Sequence, residues 1–564
     1  MIPQAWVSEI GFSGGTTLRL GPGDVVVIVG PNNAGKSATL RAIRDKVSHP
    51  GAESPVLTSL KLTRSGSDGE LVAWIETVAH CNRRSHPGSP HYSAHGASLT
   101  MDQARHYWSL QAGGLQQLAR FFCLLLTADE RLTVSNPVQA IDLLNAPPLH
   151  PIHVLQRDDR VETKLSEQFR KAFGEDLIVN RNAGSSVPLH VGPRPQLMPG
   201  EDRVSYGYAE RLTRLPTLET QGDGMRSFAG VLLHTSVGSQ NVMLIDEPEA
   251  FLHPPQARLL GQMLAADKPP HRQLFVATHS GDVLRGILDG NPGNVRVVRV
   301  RRDGSVNAVK ELDPVQVKEL WTDPLLRSSN ILDGVFHERV IVSESDGDTR
   351  FFTAVMDALY EGPLSGQRKP DVMFTHCGGK TRLPLVVRPL RALDVPVRAV
   401  TDFDILNNEH PLDKLVEAAG GDWTGLRSRW NSVKKAVDAI KPQLASSDVK
   451  RDLDAILAEV TAPVFPKEAK KRIEEVLKQT SSWALAKKSG KAFIPSGTPT
   501  QEYEHLEREM RRLGLFVVEV GELERFYPAI GGHGPAWVNE VLTKDLAVDP
   551  GLHTAREFVK ALLT

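Results

Sequence analysis

Short apolar runs bounded by glycine, proline and acidic residues punctuate the chain, and they alternate with segments of helical periodicity. The run Val25-Val26-Val27-Ile28-Val29 follows the turns Ser13-Gly14-Gly15 and Gly21-Pro22-Gly23 and reads as a fully buried strand. Trp6 to Ile28 as a whole reads as short strands, and Leu57–Val78 as an antiparallel hairpin turning at Gly66–Gly69. Residues from about 100 to 175 read as mostly helical, with breaks near Pro147-Pro148 and Pro151. From Asn241 the pattern becomes strand–loop–helix twice, ending near Arg302, and a new strand opens at Val340. Leu412 to Arg512 is helix-forming and rich in lysine and arginine; a strand, Leu515–Val520, and a helix, Thr554–Leu563, close the chain. This alternation predicts α/β layers with largely parallel sheets. Two domains are expected, at about 1–325 and 336–564, with insertions at about 100–200 and 410–512.

Composition narrows the classes. A chain of 564 residues exceeds what one hydrophobic core usually covers. A formal net charge of −1 provides no global basic field, so a nucleic-acid partner needs local patches or bound metal ions. The cysteines, Cys81, Cys123 and Cys377, lie far apart, which argues against a disulfide framework and fits a reducing compartment. Apolar runs such as Phe121–Leu126 are too short to span a bilayer, and the first residues carry no secretory pattern. A soluble, cytoplasmic protein is expected.

Gly30-Pro31-Asn32-Asn33-Ala34-Gly35-Lys36-Ser37 fits the phosphate-loop pattern and stands where that pattern must stand, between a buried strand and a helical stretch. Backbone N–H groups around Gly30, Asn33 and Gly35 would wrap phosphates at a helix N-terminus. Lys36 would reach the β- and γ-phosphates and Ser37 would ligate Mg²⁺. A second strand, Val242–Ile245, ends in Asp246-Glu247-Pro248-Glu249. Asp246 would hold the Mg²⁺ of bound ATP and Glu247 would orient the attacking water. A third strand, Leu274–Thr278, delivers His279 to the γ-phosphate position. These motifs resemble the ABC ATPase class. That resemblance implies a signature helix, for which Gln221–Ser227 is the candidate, with Gly222 in the usual serine position and Gly224 behind it. It also implies a homodimer or higher homo-oligomer, since the signature completes the partner's ATP site. His80, Cys81, His86, His91 and His95 match no zinc spacing and read as a solvated loop.

The second half carries a different chemistry. Arg339–Ser343 is a buried strand ending in Glu344, and Asp348 falls on the first turn of the helix that follows. A later strand, Val395–Val400, ends in Asp402-Phe403-Asp404, whose two carboxylates share a side of an extended segment. Oxygen donors at neighbouring strand ends suit Mg²⁺ or Mn²⁺. Strand–Glu followed by strand–Asp-x-Asp resembles the Toprim fold. An ABC-type P-loop ATPase domain followed by a Toprim (Rossmann-like) domain with a helical insertion resembles the OLD (overcoming lysogenization defect) family of nucleases. Val520-Gly521-Glu522-Leu523-Glu524 is similar to that family's late motif. The usual Val-Glu-Gly is Ser343-Glu344-Ser345 here, so the turn lacks its glycine.

The resemblance implies an ATP-regulated endonuclease or nickase acting on duplex DNA, with two divalent metals held by Glu344, Asp348, Asp402, Asp404 and Glu522 or Glu524. It implies a late catalytic lysine, with Lys560 the candidate and Lys544 the alternative. The helical insertion resembles the longer subgroup that includes the nuclease subunit of Gabija, which implies anti-phage defence and a helicase-like partner. Arg427–Arg512 holds 18 Lys/Arg against 12 Asp/Glu. Clusters such as Lys470-Lys471-Arg472 and Lys487-Lys488-Ser489-Gly490-Lys491 either contact duplex phosphates or form a solvated helical face. A reading of another class stays open: an ATP-driven DNA clamp or sensor with a catalytically silent second domain. No tyrosine among the seven suggests a topoisomerase nucleophile.

Overall fold

The computed structural model describes residues 2–82, 90–110, 113–182, 184–304, 306–322, 324, 330–440, 446–478 and 481–564. The chain divides into two compact units, Met1–Phe336 and His337–Thr564.

The first unit is built on a six-stranded sheet in the order Val306–Leu312, Val295–Asp303, Val25–Val29, Gln273–Ala277, Val242–Asp246, Cys123–Leu126. All neighbours are parallel except Val306–Leu312, which runs antiparallel at one edge. The central runs are buried along almost their whole length, as a sheet covered on both faces requires. Helix Lys36–Ser48 packs on it through Leu40, Ile43 and Val47.

One expectation for this unit is corrected and another is refined. Leu57–Val78 is not a hairpin: Leu57–Ser65 pairs with Gln4–Phe12, and Asp68–Val78 is a helix. Ser67 and Glu70 form a reciprocal capping box, so Ser-x-x-Glu marks a helix start where the glycines suggest a turn. The stretch from 100 to 175 is mostly helical, as expected, with a strand inside it. Cys123–Leu126 is an edge strand of the main sheet, paired with Val242–Ile245. Beyond the helices Pro151–Arg157 and Asp159–Phe173, the insertion continues as the ladder Asp176–Val179 with Leu189–Gly192. A four-residue apolar run shows no periodicity to separate strand from helix; its partner strand decides.

The second unit has a four-stranded parallel sheet in the order Val372–His376, Arg339–Ser343, Val397–Thr401, Leu515–Val517. The chain moves to one side of Arg339–Ser343 and then returns to its other side. The switch point therefore opens between the C-terminal ends of Arg339–Ser343 and Val397–Thr401, where open α/β sheets place ligands. Between Thr401 and Leu515 the described residues include the α-helices Glu409–Ala418, Trp423–Ala439, Ser446–Ala458, Lys467–Lys478, Ser482–Ser489 and Thr498–Arg512. The core is aromatic: Phe352, Phe516 and Phe526 surround Phe558 of the helix His553–Leu563. Among the described residues no helix is long and apolar enough to cross a membrane.

Candidate phosphate-loop and carboxylate sites

In the first unit the phosphate loop joins strand Val25–Val29 to helix Lys36–Ser48 through three left-handed residues, Gly30, Asn33 and Gly35. A Cβ on Gly30 would stand 2.2 Å from the Val300 carbonyl oxygen, so only glycine fits there. Lys36 is buried and donates to the carbonyls of Gly30 (2.9 Å) and Pro31 (3.0 Å). Burial lowers its ammonium pKa against the pull of Glu247, Glu249 and Asp246. Ser37 Oγ donates to Asp246 Oδ1 at 2.9 Å, which brings the two Mg²⁺-site candidates together. His279 Nδ1 lies 3.4 Å from Glu247 Oε1 and 3.2 Å from Glu249 Oε1. Buried Glu249 also accepts from Thr278 Oγ1 and the His279 N–H, both at 2.8 Å, and so fixes the strand end that presents the histidine.

The signature candidate forms helix Asp223–Leu232 with exposed Gly222 as its N-cap. Gly224 packs where a Cβ would come 2.8 Å from the Phe251 carbonyl oxygen. Arg131 is a residue the sequence does not single out. Fully buried, it donates to Ser227 Oγ (3.0 Å) and to the backbone carbonyls of Asp246 (2.6 Å) and Glu247 (3.0 Å). One guanidinium thus ties helix Asp223–Leu232 to the strand end that carries Asp246. His86 lies outside the described residues, and His95 makes a hydrogen bond with Ser239 (3.3 Å).

In the second unit Glu344 accepts from Thr401 Oγ1 and from the Asp402 N–H (3.1 Å), which locks the two strand ends together. Ser345, standing in place of the usual glycine, is the N-cap of helix Asp346–Glu361, and Asp348 Oδ2 accepts from its N–H (2.8 Å) and Oγ (3.0 Å). The missing glycine has therefore become a capping box that orients an acid. Burial raises Glu344 and Asp348 above the ordinary carboxylate range; burial, with Glu344 beside it, pushes Asp402 up to about 7 against the pull of Lys487. Lys380 donates to Asp404 Oδ2 at 2.8 Å.

Lys487 is the cation reached from furthest along the chain. It stands on helix Ser482–Ser489 of the insertion, with Nζ 2.8 Å from Asp402 Oδ2 and 3.8 Å from Asp404 Oδ2. Burial opposes its charge, but Asp402, Asp404 and Glu344 together hold its pKa above the ordinary value. The late motif makes this approach possible. Gly521 is left-handed, and a Cβ on it would lie 2.1 Å from the Lys487 carbonyl oxygen. Gly521 also accepts the Phe403 N–H at 2.8 Å, so one residue joins the lysine helix to the Asp-x-Asp turn. Glu522 follows, buried and raised by burial and by Glu524.

The expected late lysine is not brought to these acids. Lys560 pairs with Glu557 at 2.8 Å on a helix whose last carbonyls accept from Arg339 and Arg398. Those arginines stand at the opening ends of the strands, about 15 Å from the carboxylate ends at 3.3 Å per residue. Lys544 sits in the turn after helix Pro535–Val541 and makes no ion pair with the acids among the described residues. In the basic cluster, Lys470 pairs with Glu474 (3.9 Å) and Arg472 with Glu459, as in a solvated face.

Two α/β units, one with a complete phosphate loop and the other with converging strand-end acids, define an ATPase fold joined to a second carboxylate-bearing α/β unit. Residues 82–285 match the family model described as "AAA domain, putative AbiEii toxin, Type IV TA system". The "Old nuclease" of Escherichia phage P2 is 24% identical over 177 residues, 30% of this chain and 29% of that protein. The "OLD nuclease" of Thermus scotoductus is 24% identical over 442 residues, 69% of this chain and 79% of that protein. An SMC head crystallised with the C-terminal winged-helix domain of ScpA superposes on 56% of this chain and 99% of its own, with TM-score 0.34 and 13% identity. The chain is similar to these OLD nucleases and carries an ATPase domain.

Proposed function

We propose that this protein is an ATP-regulated, divalent-metal-dependent endonuclease or nickase of duplex DNA, an ABC-type ATPase joined to a Toprim nuclease domain, with a role in anti-phage defence. The observation that carries the reading is the convergence of Glu344, Asp402 and Asp404 on Lys487 and Lys380 at the sheet's switch point.

The donors fit divalent cations. Asp404 Oδ1 and Glu522 Oε1 are buried oxygens with no hydrogen-bond partner, which is costly for a carboxylate unless a cation satisfies it. Glu344, Asp348, Asp402, Asp404, Glu522 and Glu524 would hold two such ions, Mg²⁺ or Mn²⁺, by oxygen ligands. When bound, divalent ions lower the pKa of coordinated water and offset charge on a phosphodiester. Thr401 and the Asp402 N–H keep Glu344 in one orientation, and the Ser345 cap does so for Asp348. The Lys487 ammonium stands where a scissile phosphate would gather charge, the role first expected of Lys560.

In the first unit the cradle of Gly30 and Gly35 and the Ser37–Asp246 contact fit ATP with Mg²⁺. Lys36 would exchange the Gly30 and Pro31 carbonyls for phosphate oxygens. Exposed Gly222 at a helix start offers N–H groups to a nucleotide on a second copy of the chain, so a homodimer completes the site. Arg131 would carry a shift of that helix to the backbone of Asp246 and Glu247.

The direct test is incubation with supercoiled plasmid and Mg²⁺ or Mn²⁺, with and without ATP. Nicked or linear product requiring the metal and altered by ATP supports the reading; intact plasmid in every condition overturns it.

A further inference from the structure

We infer that Glu522, Glu524 and His533 form a nitrogen-containing metal site that favours Mn²⁺, or another first-row transition ion, over Mg²⁺. The inference deepens the carboxylate reading above and rests on it.

One ligand atom from each of the three residues lies within 4.8 Å of the other two, and His533 Nδ1 is 3.6 Å from Glu524 Oε1. Ligands bound to one ion at about 2.1 Å stand about 3 to 4.2 Å apart. At most one pair of three can take the longer spacing, so the side chains must close by up to about 1.5 Å, a movement within the reach of side-chain rotation. Among the described residues no other trio of histidine, cysteine or acidic ligands is so placed.

The His533 side chain is exposed, and the loop that bears it is anchored on either side of the residue. His533 lies in Gly531-Gly532-His533-Gly534-Pro535, where Gly532 (φ +90°) and Gly534 (φ +63°) take left-handed conformations suited to glycine. The Gly534 N–H donates to Glu524 Oε1 at 2.8 Å, which draws the loop over the acid. Beyond Pro535 the loop is anchored by Trp537, fully buried and packed edge-on to Phe351 at 5.3 Å.

A second observation points to a cation. Glu522 is 8% exposed, and its Oε1 has no hydrogen-bond partner. Arg525 Nε lies at 3.8 Å, beyond hydrogen-bond reach. A buried carboxylate beside another carboxylate, with an unsatisfied oxygen, is stabilised by a bound cation. The imidazole decides which one. Mg²⁺ takes oxygen ligands and keeps its waters, whereas a neutral ring nitrogen suits the first-row transition ions, best the later ones and least Mn²⁺, which serves as their spectroscopic probe. The Glu344–Asp402–Asp404 group offers only oxygen donors. The two halves of the centre therefore differ in metal preference.

The test is pulsed electron paramagnetic resonance of the full chain with substoichiometric Mn²⁺, without nucleotide. Nitrogen-14 modulation from a coordinated imidazole is expected in the wild type and in Asp402→Asn. It should be lost in His533→Ala and His533→Gln, with Mn²⁺ affinity falling at least about tenfold and Mg²⁺ affinity little changed. Thermal melting verifies that both variants fold. Mn²⁺ bound by the wild type without nitrogen modulation, or modulation persisting in folded His533→Ala, overturns the inference and leaves the carboxylate reading standing. Failure of the wild type to bind Mn²⁺ at all overturns both.

Discussion

Lys487 Nζ stands 2.8 Å from Asp402 Oδ2, although a full set of helices separates the two residues along the chain. The contact requires Gly521, whose missing side chain admits the Lys487 carbonyl. The insertion therefore supplies a side chain to the strand-end acids rather than standing apart from them.

Replacing Lys487 with Met should lower metal-dependent plasmid nicking by about a hundredfold or more, the scale of removing one preorganised charge-stabilising group. Lys560→Met should remain near the wild-type rate, since its ammonium pairs with Glu557. Single-turnover nicking at saturating metal compares them. A dead Lys560→Met beside an active Lys487→Met would return the role to the terminal helix.

The phosphate loop was fully legible because its chemistry lies in eight consecutive residues between a strand and a helix. Glu344, Asp402 and Asp404 were legible because each ends an apolar run, and a parallel sheet gathers such ends at one edge. Lys487 was visible only as one of several basic residues, because nothing local says which helix of an insertion folds back. Lys560 was misplaced for a related reason: amphipathic periodicity gives the face a helix buries, not the end of the sheet it lies on. Arg131 and His533 left no pattern. One is a buried arginine in a short helix, and the other reads as a glycine-rich turn.

Lys36→Ala should abolish ATP hydrolysis, because the cation of the phosphate cradle is gone. Arg131→Met should also lower hydrolysis, while nucleotide binding to the monomeric chain stays close to normal, because Arg131 touches only Ser227 and the Asp246 and Glu247 carbonyls around the motifs. Steady-state ATPase rates beside fluorescent-nucleotide titration separate the two. Undiminished turnover in Lys36→Ala would remove the phosphate-loop assignment.

Ser345→Ala removes the helix cap that holds Asp348. Loss of such a cap costs about 1 kcal/mol, and cleavage should fall because the acid is freed to rotate. Ser345→Asp restores an N-cap and the stability but places a further negative charge beside the acids, so cleavage should stay low. Chemical unfolding with parallel nicking assays tests the split. Wild-type cleavage in Ser345→Ala would show that the cap does not orient the acid.

The histidines His150 and His234 give the first unit an acid sensitivity. Burial, with neighbouring histidines, lowers His150 to about 3; burial, with His95 and Arg272, lowers His234 to about 4. An unfolded chain protonates both near the ordinary value of about 6.5, so it binds more protons than the native state below that pH. Stability is therefore intact above about pH 6.5 and falls as pH drops, by about 1.4 kcal/mol per unit for each histidine. The loss in melting temperature between pH 7.5 and 5.5 should be smaller in the double variant His150→Asn/His234→Gln. An equal loss in both proteins would contradict this.

The central claim is that the strand-end acids form a nuclease centre, and Asp402→Asn tests it most directly. The substitution keeps the side-chain shape and removes the charge that faces Lys487. Single-turnover cleavage of supercoiled plasmid, with Mg²⁺ or Mn²⁺ at saturation, should fall to background in this variant, while ATP hydrolysis by the other unit continues near the wild-type rate. Cleavage by Asp402→Asn at the wild-type rate would contradict the account.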